Sequence, residues 1–283
     1  MTNQKVTVLY DTVRWEEKSL AEAAKRTSVN LHMQDCRSVR LDLDAQPPEY
    51  GTILQRCVSY YRNIHSTAAF EGLGSVVINC LKTGIYAGNK LYSHMLLRKH
   101  EIPTPKSSVA FSKQSAINAI EEIGYPMVSK PTVGSWGRMV AKISNAESAN
   151  AILDTHEMLH PIYHIHYLEE FVKRPERDIR AIVVGDRVVA AIYRYSGSGE
   201  WKTNMALGGR AEKCPVTSEL EEICLKAKKA VYGDIVGVDL MESEDRGLLV
   251  HEVNNTTEFK NTVRVCNVDI PKLMIEYAVK VER

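Results

Sequence analysis

The sequence lacks the patterns that mark several large classes of protein. No apolar run approaches the roughly 18 residues that a membrane-spanning helix needs, which argues against a transmembrane protein. The formal net charge of +1 gives no reason to expect a nucleic-acid-binding protein. A positively charged, apolar leader does not precede the first strand-like residues, so we expect a protein of the cytoplasm.

Paired cysteine spacings are also missing. The six cysteines form no C-x-x-C pair and are scattered along the chain, at Cys36, Cys57, Cys80, Cys214, Cys224 and Cys266. In a chain of this length, such scatter indicates reduced thiols rather than a disulfide framework. Without paired ligand spacing, a structural zinc site is not expected either.

Four histidines lie close together in the sequence, at His156, His160, His164 and His166. They resemble a metal-binding cluster. Pro161 lies between the two pairs, however, and a proline interrupts the helical spacing that would stack them. We therefore interpret these residues as solvated or packed histidines.

What the sequence does contain is an alternation of strand and helix patterns. Residues 5–10 predict a buried strand and residues 16–25 an amphipathic helix, and short strand patterns follow at 52–58 and 75–79. Strands separated by helical segments predict an open α/β sheet in the first part of the chain. Later patterns predict helices at 89–99, 112–124, 218–231 and 270–281, a hairpin at 178–194, and strands at 165–172, 235–241 and 248–254.

Three oxygen-bearing side chains meet in the last predicted hairpin. Glu252 and Asn254 are two residues apart and so share a face of their strand, and the turn at 242–247 brings Asp239 level with them. Two carboxylates and an amide suit Mg²⁺, which completes its shell with water and phosphate oxygens. A solvent-facing polar edge is the alternative, although a lone carboxylate inside the apolar strand around Asp239 would be costly to bury.

Two lysines and a glycine-rich loop suit the binding of a polyphosphate. Lys90 opens a helix, and Lys130 ends a strand just before the loop at 134–138. Loop N–H groups and lysines are common means of holding phosphate. The loop is not a Walker A sequence, since no Gly-Lys-Ser/Thr follows, and an ordinary hairpin turn is the alternative. Within it, Trp136 is either a packing residue or part of a lid.

Two arginines lie on opposite arms of the predicted hairpin at 178–194. A guanidinium group such as that of Arg180 or Arg194 can hold a carboxylate or a transferring phosphoryl group in a two-pronged contact. The alternative is an ordinary surface ion pair with Asp178 or Glu169.

The order of these features resembles that of ATP-grasp ligases. A lysine, a second lysine, a glycine loop, an acidic and apolar strand, D-x-R, an aspartate and E-x-N follow one another. The segments that carry the resemblance are YDTVRWEEK, QRCVSYYR, KPTVGSWGRMVAK, RDIRAIVVG and HEVNNTTEFKNT. They are similar to the branch that contains ribosomal-protein glutamate ligases and the amino-group carrier protein ligases of lysine and arginine biosynthesis.

The resemblance implies an α/β (α+β) chain with an ATP-grasp fold. An N-terminal open α/β pre-ATP-grasp domain at 1–88 would precede a central lobe at 89–167 and a C-terminal lobe at 168–283. The implied cofactors are ATP and Mg²⁺, with Lys130 and Arg194 at the reacting centre. The implied ATP contacts are Lys90, Lys130, Gly134, Ser135, Trp136, Gly137, Arg138, Met139, Val140, Glu169, Glu170, Phe171, Val172, Asp178 and Asn204. The implied substrate contacts are Arg194, Met205, Ala206, Glu258, Phe259, Lys260, Asn261 and Thr262, and the implied metal ligands are Asp239, Glu252 and Asn254.

The pair Asn261-Thr262 bears on which amino acid is used. In this family, Asn followed by Ser or Thr marks aminoadipate ligases, whereas Gly-Phe marks glutamate ligases. The two acids differ by one methylene, which a pocket discriminates by only about 1–3 kcal/mol. The chain departs from the family pattern at Asn89, Asn255 and Thr257. These departures leave Lys90 and the implied metal ligands unchanged.

The resemblance therefore implies an enzyme of lysine biosynthesis. It would join the α-amino group of α-aminoadipate to the side-chain carboxylate of the C-terminal glutamate of a LysW-like carrier, through an acyl phosphate. A glutamate–carrier ligase of arginine biosynthesis, a bifunctional enzyme and a ligase for another protein tail are alternatives. A nucleotide-binding regulator without turnover is an alternative of another class.

The implied partner is a small acidic carrier protein, so its docking surface on this chain should be basic. The residues considered for that surface are Lys202, Arg210 and Lys213, with unpaired surface charge as the alternative. Membership of this branch also implies a homo-oligomer.

Overall fold

The fold consists of sheets that follow one another along the chain, each covered by helices. A computed structural model describes residues 5–44, 49–134, 136–197, 201 and 210–281. Within these ranges, no helix is both long and apolar enough to cross a membrane.

The first sheet is parallel, as the alternation of strands and helices predicts. Its strands run in the order β2-β1-β3-β4, where β1 is Lys5–Tyr10, β2 is Asn30–Asp35, β3 is Thr52–Gln55 and β4 is Val77–Ile78. Helices α1 (Trp15–Thr27), α2 (Tyr60–Gly72) and α3 (Leu81–Ala87) connect and follow them. The apolar alternation predicted β1, whereas the polar edge strand β2 (NLHMQD) has no such pattern and escaped prediction.

The second sheet is antiparallel and runs β5-β8-β6-β7. Its strands are β5 (Ser107–Ala110), β6 (Met127–Lys130), β7 (Ala141–Ile143) and β8 (His166–Glu170), with helices α5 (Lys113–Ile123) and α6 (Ala146–Glu157). Helix α4 (Lys90–Lys99) precedes these elements and packs against the third sheet through Leu97. The Ser112 hydroxyl caps α5, and Gly124 ends it at φ +93°, as the sequence predicted. The predicted lobe boundary after residue 167 falls inside β8, which pairs with both β5 and β6 and so belongs to this sheet.

The third sheet is antiparallel and runs β11-β10-β9-β12-β13. Its strands are β9 (Arg177–Val184), β10 (Arg187–Tyr195), β11 (Arg210–Cys214), β12 (Ile235–Ser243) and β13 (Gly247–Asn254), with helices α7 (Ser218–Ala230), α8 (Lys260–Cys266) and α9 (Ile270–Lys280). One buried cluster joins the first sheet to the third, because Val6, Leu20 and Ile78 pack with Ile182 and Met274. Full burial of each such side chain is worth about 1.5–3 kcal/mol.

The strand register of the third sheet places charged residues on a common face. Asp239 lies opposite Glu252 in one neighbouring strand and opposite Arg180 in the other. Arg194 lies opposite Asp178 in the same way. Since directly paired residues point to the same side of a sheet, five charged side chains meet on one surface.

Candidate active site

A cavity of about 750 Å³ lies over that charged face. It is lined by strand residues of the second and third sheets and by loop and helix residues that follow strands of the first sheet. It brings together most of the residues that the sequence singled out. These are Lys90, Lys130, Gly134, Trp136, Gly137, Arg138, Val140, Glu169, Glu170, Phe171, Val172, Asp178, Arg180, Arg194, Asp239, Glu252, Asn254, Glu258, Lys260, Asn261 and Thr262.

A few of the singled-out residues fall elsewhere. In the described structure, Met139 and Phe259 are not among the lining residues, and Phe259 is instead buried in the core that joins the first and third sheets. Four others lie outside the described residues: Ser135, Asn204, Met205 and Ala206.

Asp239 is one of the deeply buried acids of the cavity. Its carboxylate accepts hydrogen bonds of 2.5 Å from both Nε and Nη2 of Arg180, and Nη2 of Arg194 lies 3.1 Å from its Oδ2. Burial alone would raise the pKa of Asp239, but the two guanidinium groups outweigh burial and hold that pKa below its usual range. The lowered pKa favours the deprotonated form of Asp239, the form in which a carboxylate can bind a metal.

Glu252 and Asn254 complete the predicted metal set. Nζ of Lys90 lies 3.2 Å from Oε1 of Glu252, and Nδ2 of Asn254 lies 3.4 Å from Oδ2 of Asp239. Two carboxylates and an amide side chain in one place offer the oxygen donors that a hard cation such as Mg²⁺ prefers. Among the described residues, no group of three or more His, Cys, Asp or Glu side chains is arranged for a metal.

Both predicted phosphate-binding lysines face the cavity. Lys130 is 8% exposed and forms an ion pair with Glu169 on the neighbouring strand β8. Besides contacting Glu252, the Lys90 ammonium donates to the carbonyl oxygen of Gly134 at 2.8 Å. Lys90 thus contacts the glycine loop and the acidic set at once.

The glycine-rich loop is a wall of this cavity rather than an isolated hairpin turn. Gly137, Trp136 and Met139 have left-handed backbone angles, with φ of +67°, +59° and +58°. The Arg138 guanidinium lies 5.1 Å from the centre of the Trp136 ring. The indole N–H donates to Oε1 of Glu258 at 3.1 Å. Trp136 therefore connects the loop to the segment 258–262 on the opposite side.

The segment after β8 forms a partly apolar end of the cavity. Phe171 packs against Trp201, with ring centres 5.8 Å apart, and the ammonium of Lys142 lies 4.1 Å from the centre of the Phe171 ring. Val128, Ile192 and Met241 contribute further apolar lining. Apolar walls of this kind can accept a flat, partly polar ring such as a nucleobase.

Arg194 is held between two carboxylates. It donates to Asp178 from Nε at 2.7 Å and from Nη2 at 2.8 Å, in addition to its contact with Asp239. Burial would lower the pKa of Arg194, but the charges of Asp178 and Asp239 raise it above its ordinary value. The ion pair with Asp178 that was considered from the sequence is present, although it lies inside the cavity rather than on the outer surface.

Sequence reasoning missed two groups that line the cavity. Arg14, Trp15 and Glu16 reach it from the start of α1. They belong to the motif YDTVRWEEK, which carried the family resemblance without suggesting a role for any one side chain. The other is His251, whose ring nitrogens have no hydrogen-bond partner in the described structure; burial first, and the nearby Lys130 second, hold its pKa well below the usual range.

The clustered histidines are packed side chains. His156 and His166 are buried with their rings stacked, 5.7 Å between centres. Burial lowers the pKa of each ring first; the nearby His164 lowers the pKa of His156 further, and His156 lowers that of His166. They belong to α6 and β8 and do not line the cavity in the described structure.

Residues 87–278 match the family model of the RimK-like ATP-grasp domain. The chain belongs to the RimK-like ATP-grasp family. Residues 6–84 match a second model, that of the LysX preATP-grasp domain. Together they confirm the predicted ATP-grasp fold behind an N-terminal α/β domain. As an ATP-grasp ligase, the chain is a carboxylate–amine ligase that uses ATP.

Relatives of this ATP-grasp chain include proteins named as carrier-protein ligases. It is 40% identical over 269 residues to the α-aminoadipate–LysW ligase LysX of Saccharolobus solfataricus, covering 94% of this chain and 97% of that protein. It is 30% identical over 274 residues to the glutamate–LysW ligase ArgX of Sulfolobus acidocaldarius, covering 96% and 97%. A RimK domain ATP-grasp protein from Sphaerobacter thermophilus has the same fold, with a TM-score of 0.77, 20% identity and coverage of 97% and 99%.

Proposed function

We propose that the chain joins α-aminoadipate to a LysW-like carrier protein with ATP. The observation that carries the proposal is the position of Asn261 and Thr262 in the cavity wall, where the residues that mark aminoadipate ligases would meet the amino acid. The higher identity to LysX proteins, 40% against 30% for ArgX, supports the same choice.

The first half of the proposed reaction activates a carboxylate. An oxygen of the carrier's terminal glutamate side chain attacks the γ-phosphorus of ATP, the bond from that phosphorus to the β-phosphate oxygen breaks, and ADP leaves. Negative charge accumulates on the transferring group, and cations placed beforehand lower the barrier. Lys90, Lys130 and Arg194 are cations of this chain that line the cavity and suit this role.

Asp239, Glu252 and Asn254 are proposed to hold Mg²⁺. When bound, Mg²⁺ would neutralise phosphate charge and orient the phosphate oxygens. The chain's own cations already balance these acids, because Arg180 and Arg194 contact Asp239 and Lys90 contacts Glu252. Lys90 and Arg194 are thus close to where an anionic group would bind.

The second half forms the amide-type bond. The α-amino nitrogen of aminoadipate attacks the carbonyl carbon of the acyl phosphate, inorganic phosphate leaves, and the nitrogen loses a proton. An acyl phosphate hydrolyses if water reaches it, so the site must be enclosed during this step. The contact between Trp136 and Glu258 draws the glycine loop over the cavity and supports such an enclosure.

The proposed docking surface for the carrier consists of two of the three basic residues considered from the sequence. Arg210 on β11 forms a 2.8 Å ion pair with Glu212, and its guanidinium lies 4.5 Å from the centre of the Tyr195 ring. Lys213 is exposed, whereas Lys202 lies outside the described residues. We propose Arg210 and Lys213 as contacts for an acidic carrier.

The proposal is tested by weighing the carrier. The enzyme, Mg-ATP and the carrier are incubated with aminoadipate, with glutamate, or with both at equal concentration, and intact mass is measured. We expect the carrier to gain one aminoadipate residue and to prefer it in the mixture. A carrier without its terminal glutamate should gain nothing.

A glutamate–carrier ligase is the second candidate, favoured by the 30% identity to ArgX. A carrier that gains only glutamate would show that the chain is a glutamate–carrier ligase. No gain with either acid, despite ATP binding, would indicate a regulator without turnover.

A further inference from the structure

Helix α8 begins with a residue that cannot cap it. Phe259 takes the N-cap position and supplies no hydrogen-bond acceptor from its side chain. The first N–H groups of a helix have no partner within the helix and need an acceptor from elsewhere. The start of α8 matters for the proposed function, because Asn261 and Thr262 lie in its first turn and line the cavity.

The missing acceptor comes from the first domain. Oε1 of Glu16, in the first turn of α1, accepts hydrogen bonds of 3.2 Å from the backbone N–H groups of both Phe259 and Lys260. Glu16 is only 4% exposed. A carboxylate at a helix N-terminus also interacts favourably with the helix dipole. Glu16 therefore caps α8 from a distance of 243 residues along the chain.

A second side chain of the first domain holds the residues just before α8. Arg56 is 2% exposed, donates from Nη1 to the carbonyl oxygen of Thr257 at 3.1 Å, and lies 5.7 Å from the centre of the Phe259 ring. The Trp15 ring meets the same Phe259 ring edge to face, 6.0 Å between centres. The first domain thus contacts both the backbone of the segment 257–260 and the side-chain ring of Phe259.

Arg56 is itself held by a buried carboxylate. Its Nε donates to Oε1 of Glu17 at 3.1 Å, and Nη2 of Arg14 lies 2.7 Å from the same oxygen. Burial alone would raise the pKa of Glu17, but the hydrogen bonds and charges of Arg14 and Arg56 hold it below the ordinary value. Glu17 thus pairs with both Arg14 and Arg56 directly behind the segment 257–260.

We infer that Glu16 and Arg56 are positioning residues that determine which amino acid the cavity accepts. The inference rests on the proposed function and assigns part of the enzyme's selectivity between amino acids to the N-terminal domain. A pocket separates acids that differ by one methylene by about 10- to 200-fold at most, so small shifts of its wall matter. Glu16 and Arg56 limit such shifts by holding the backbone that carries Asn261 and Thr262.

The test compares variants of Glu16. Glu16→Ala removes the cap, and we expect the KM for aminoadipate to rise about tenfold, the size that loss of a helix cap can produce. The preference for aminoadipate over glutamate in kcat/KM should fall, while the KM for ATP stays within about twofold. Glu16→Gln keeps an acceptor oxygen and should restore most of the selectivity.

The matched control is Glu22→Ala on the same helix. Glu22 forms an exposed 2.8 Å ion pair with Lys25 and does not line this cavity, so all kinetic constants should stay at wild-type values. If Glu16→Ala does not fold, Glu16→Asp keeps the charge but shortens the side chain by one methylene, and an intermediate loss of selectivity is expected.

Two results would overturn the inference. One is an unchanged preference between the two acids in folded Glu16→Ala or Glu16→Asp. The other is a parallel loss for ATP and amino acid, which would indicate general destabilisation. A wild-type enzyme that transfers only glutamate would refute the proposed substrate but leave this inference testable through the KM for glutamate.

Discussion

Asp239 is a buried acid, 2% exposed, that two arginines keep ionised. Removing one member of such a buried charged group leaves the others unpaired, so substitutions at Asp239 itself would mix catalytic and structural effects. Glu252 is more informative, because it is partly exposed and contacts one cation, Lys90, at 3.2 Å.

Glu252→Gln keeps the shape of the side chain and removes its charge. We expect kcat to fall by at least about 100-fold, with a higher Mg²⁺ concentration needed for half-maximal rate, because a neutral amide binds a hard cation weakly. The measurement is a rate titration with MgCl₂, together with thermal unfolding to show that the variant is folded.

The control for this variant is Glu244→Gln in the turn of the same hairpin. Glu244 forms a 2.6 Å ion pair with Lys173 at the surface and should be neutral for rate and for Mg²⁺ dependence. Near-normal turnover of Glu252→Gln would remove Glu252 from the metal site.

At the scale of elements, the packing of α6 against β8 makes the second sheet sensitive to acid. Nδ1 of His156 and both ring nitrogens of His166 are buried without a hydrogen-bond partner among the described residues. Burial disfavours the charged imidazolium, so each pKa lies below the ordinary value.

The sign of the pH effect follows from linkage. Above a pH of about 6.5, the unfolded-state value, both states are neutral and stability is unaffected. As pH falls from there towards the lower folded-state pKa values, the unfolded chain binds protons that the folded chain excludes, and stability is lost. We expect the free energy of unfolding to drop between pH 7 and 5.

His156→Phe tests this expectation. A phenyl ring preserves stacking on His166 but cannot be protonated, so the loss of stability between pH 7 and 5 should become smaller, as measured by urea unfolding. His32→Phe, at an exposed position of β2, is the control and should lose as much stability between pH 7 and 5 as the wild type. An equal loss of stability between pH 7 and 5 in the wild type and in His156→Phe would show that the pKa of His156 does not change on unfolding.

At the scale of the whole molecule, Asn79 fastens the first domain to the third sheet. Its Nδ2 donates to the carbonyl oxygens of Ile235 and Asn255 at 2.7 and 2.8 Å, and its Oδ1 accepts from the N–H groups of Asp234 and Ile235 at 2.8 and 2.9 Å. One buried amide thus satisfies four backbone groups that lie across the domain junction.

Asn79→Ala should therefore destabilise the protein by about 2–4 kcal/mol, because buried backbone groups lose their partners. Chemical unfolding measures the change, and Asn118→Ala on the exposed face of α5 is the control, expected within about 0.5 kcal/mol of wild type. A loss below about 0.5 kcal/mol for Asn79→Ala would show that water replaces the amide without penalty.

Local patterns were sufficient for much of the fold. The capped, periodic helix α5 and the alternating strand β1 follow from residue type and spacing alone, as does the β12–β13 hairpin. The edge strands β2 and β11 could not be predicted from local patterns. A polar edge strand is stabilised by pairing with its neighbour, and its sequence need not alternate between apolar and polar residues.

What the sequence determined by itself is the chemistry, since the residue types set the charges and oxygen donors, and their order along the chain identifies the ATP-grasp family. Only the tertiary structure decided which distant side chains support that chemistry. Glu16 caps α8 and Asn79 binds Ile235 because a shared apolar core brings the first and third sheets together. Contacts between residues far apart in the chain depend on how whole elements pack, which no local spacing encodes.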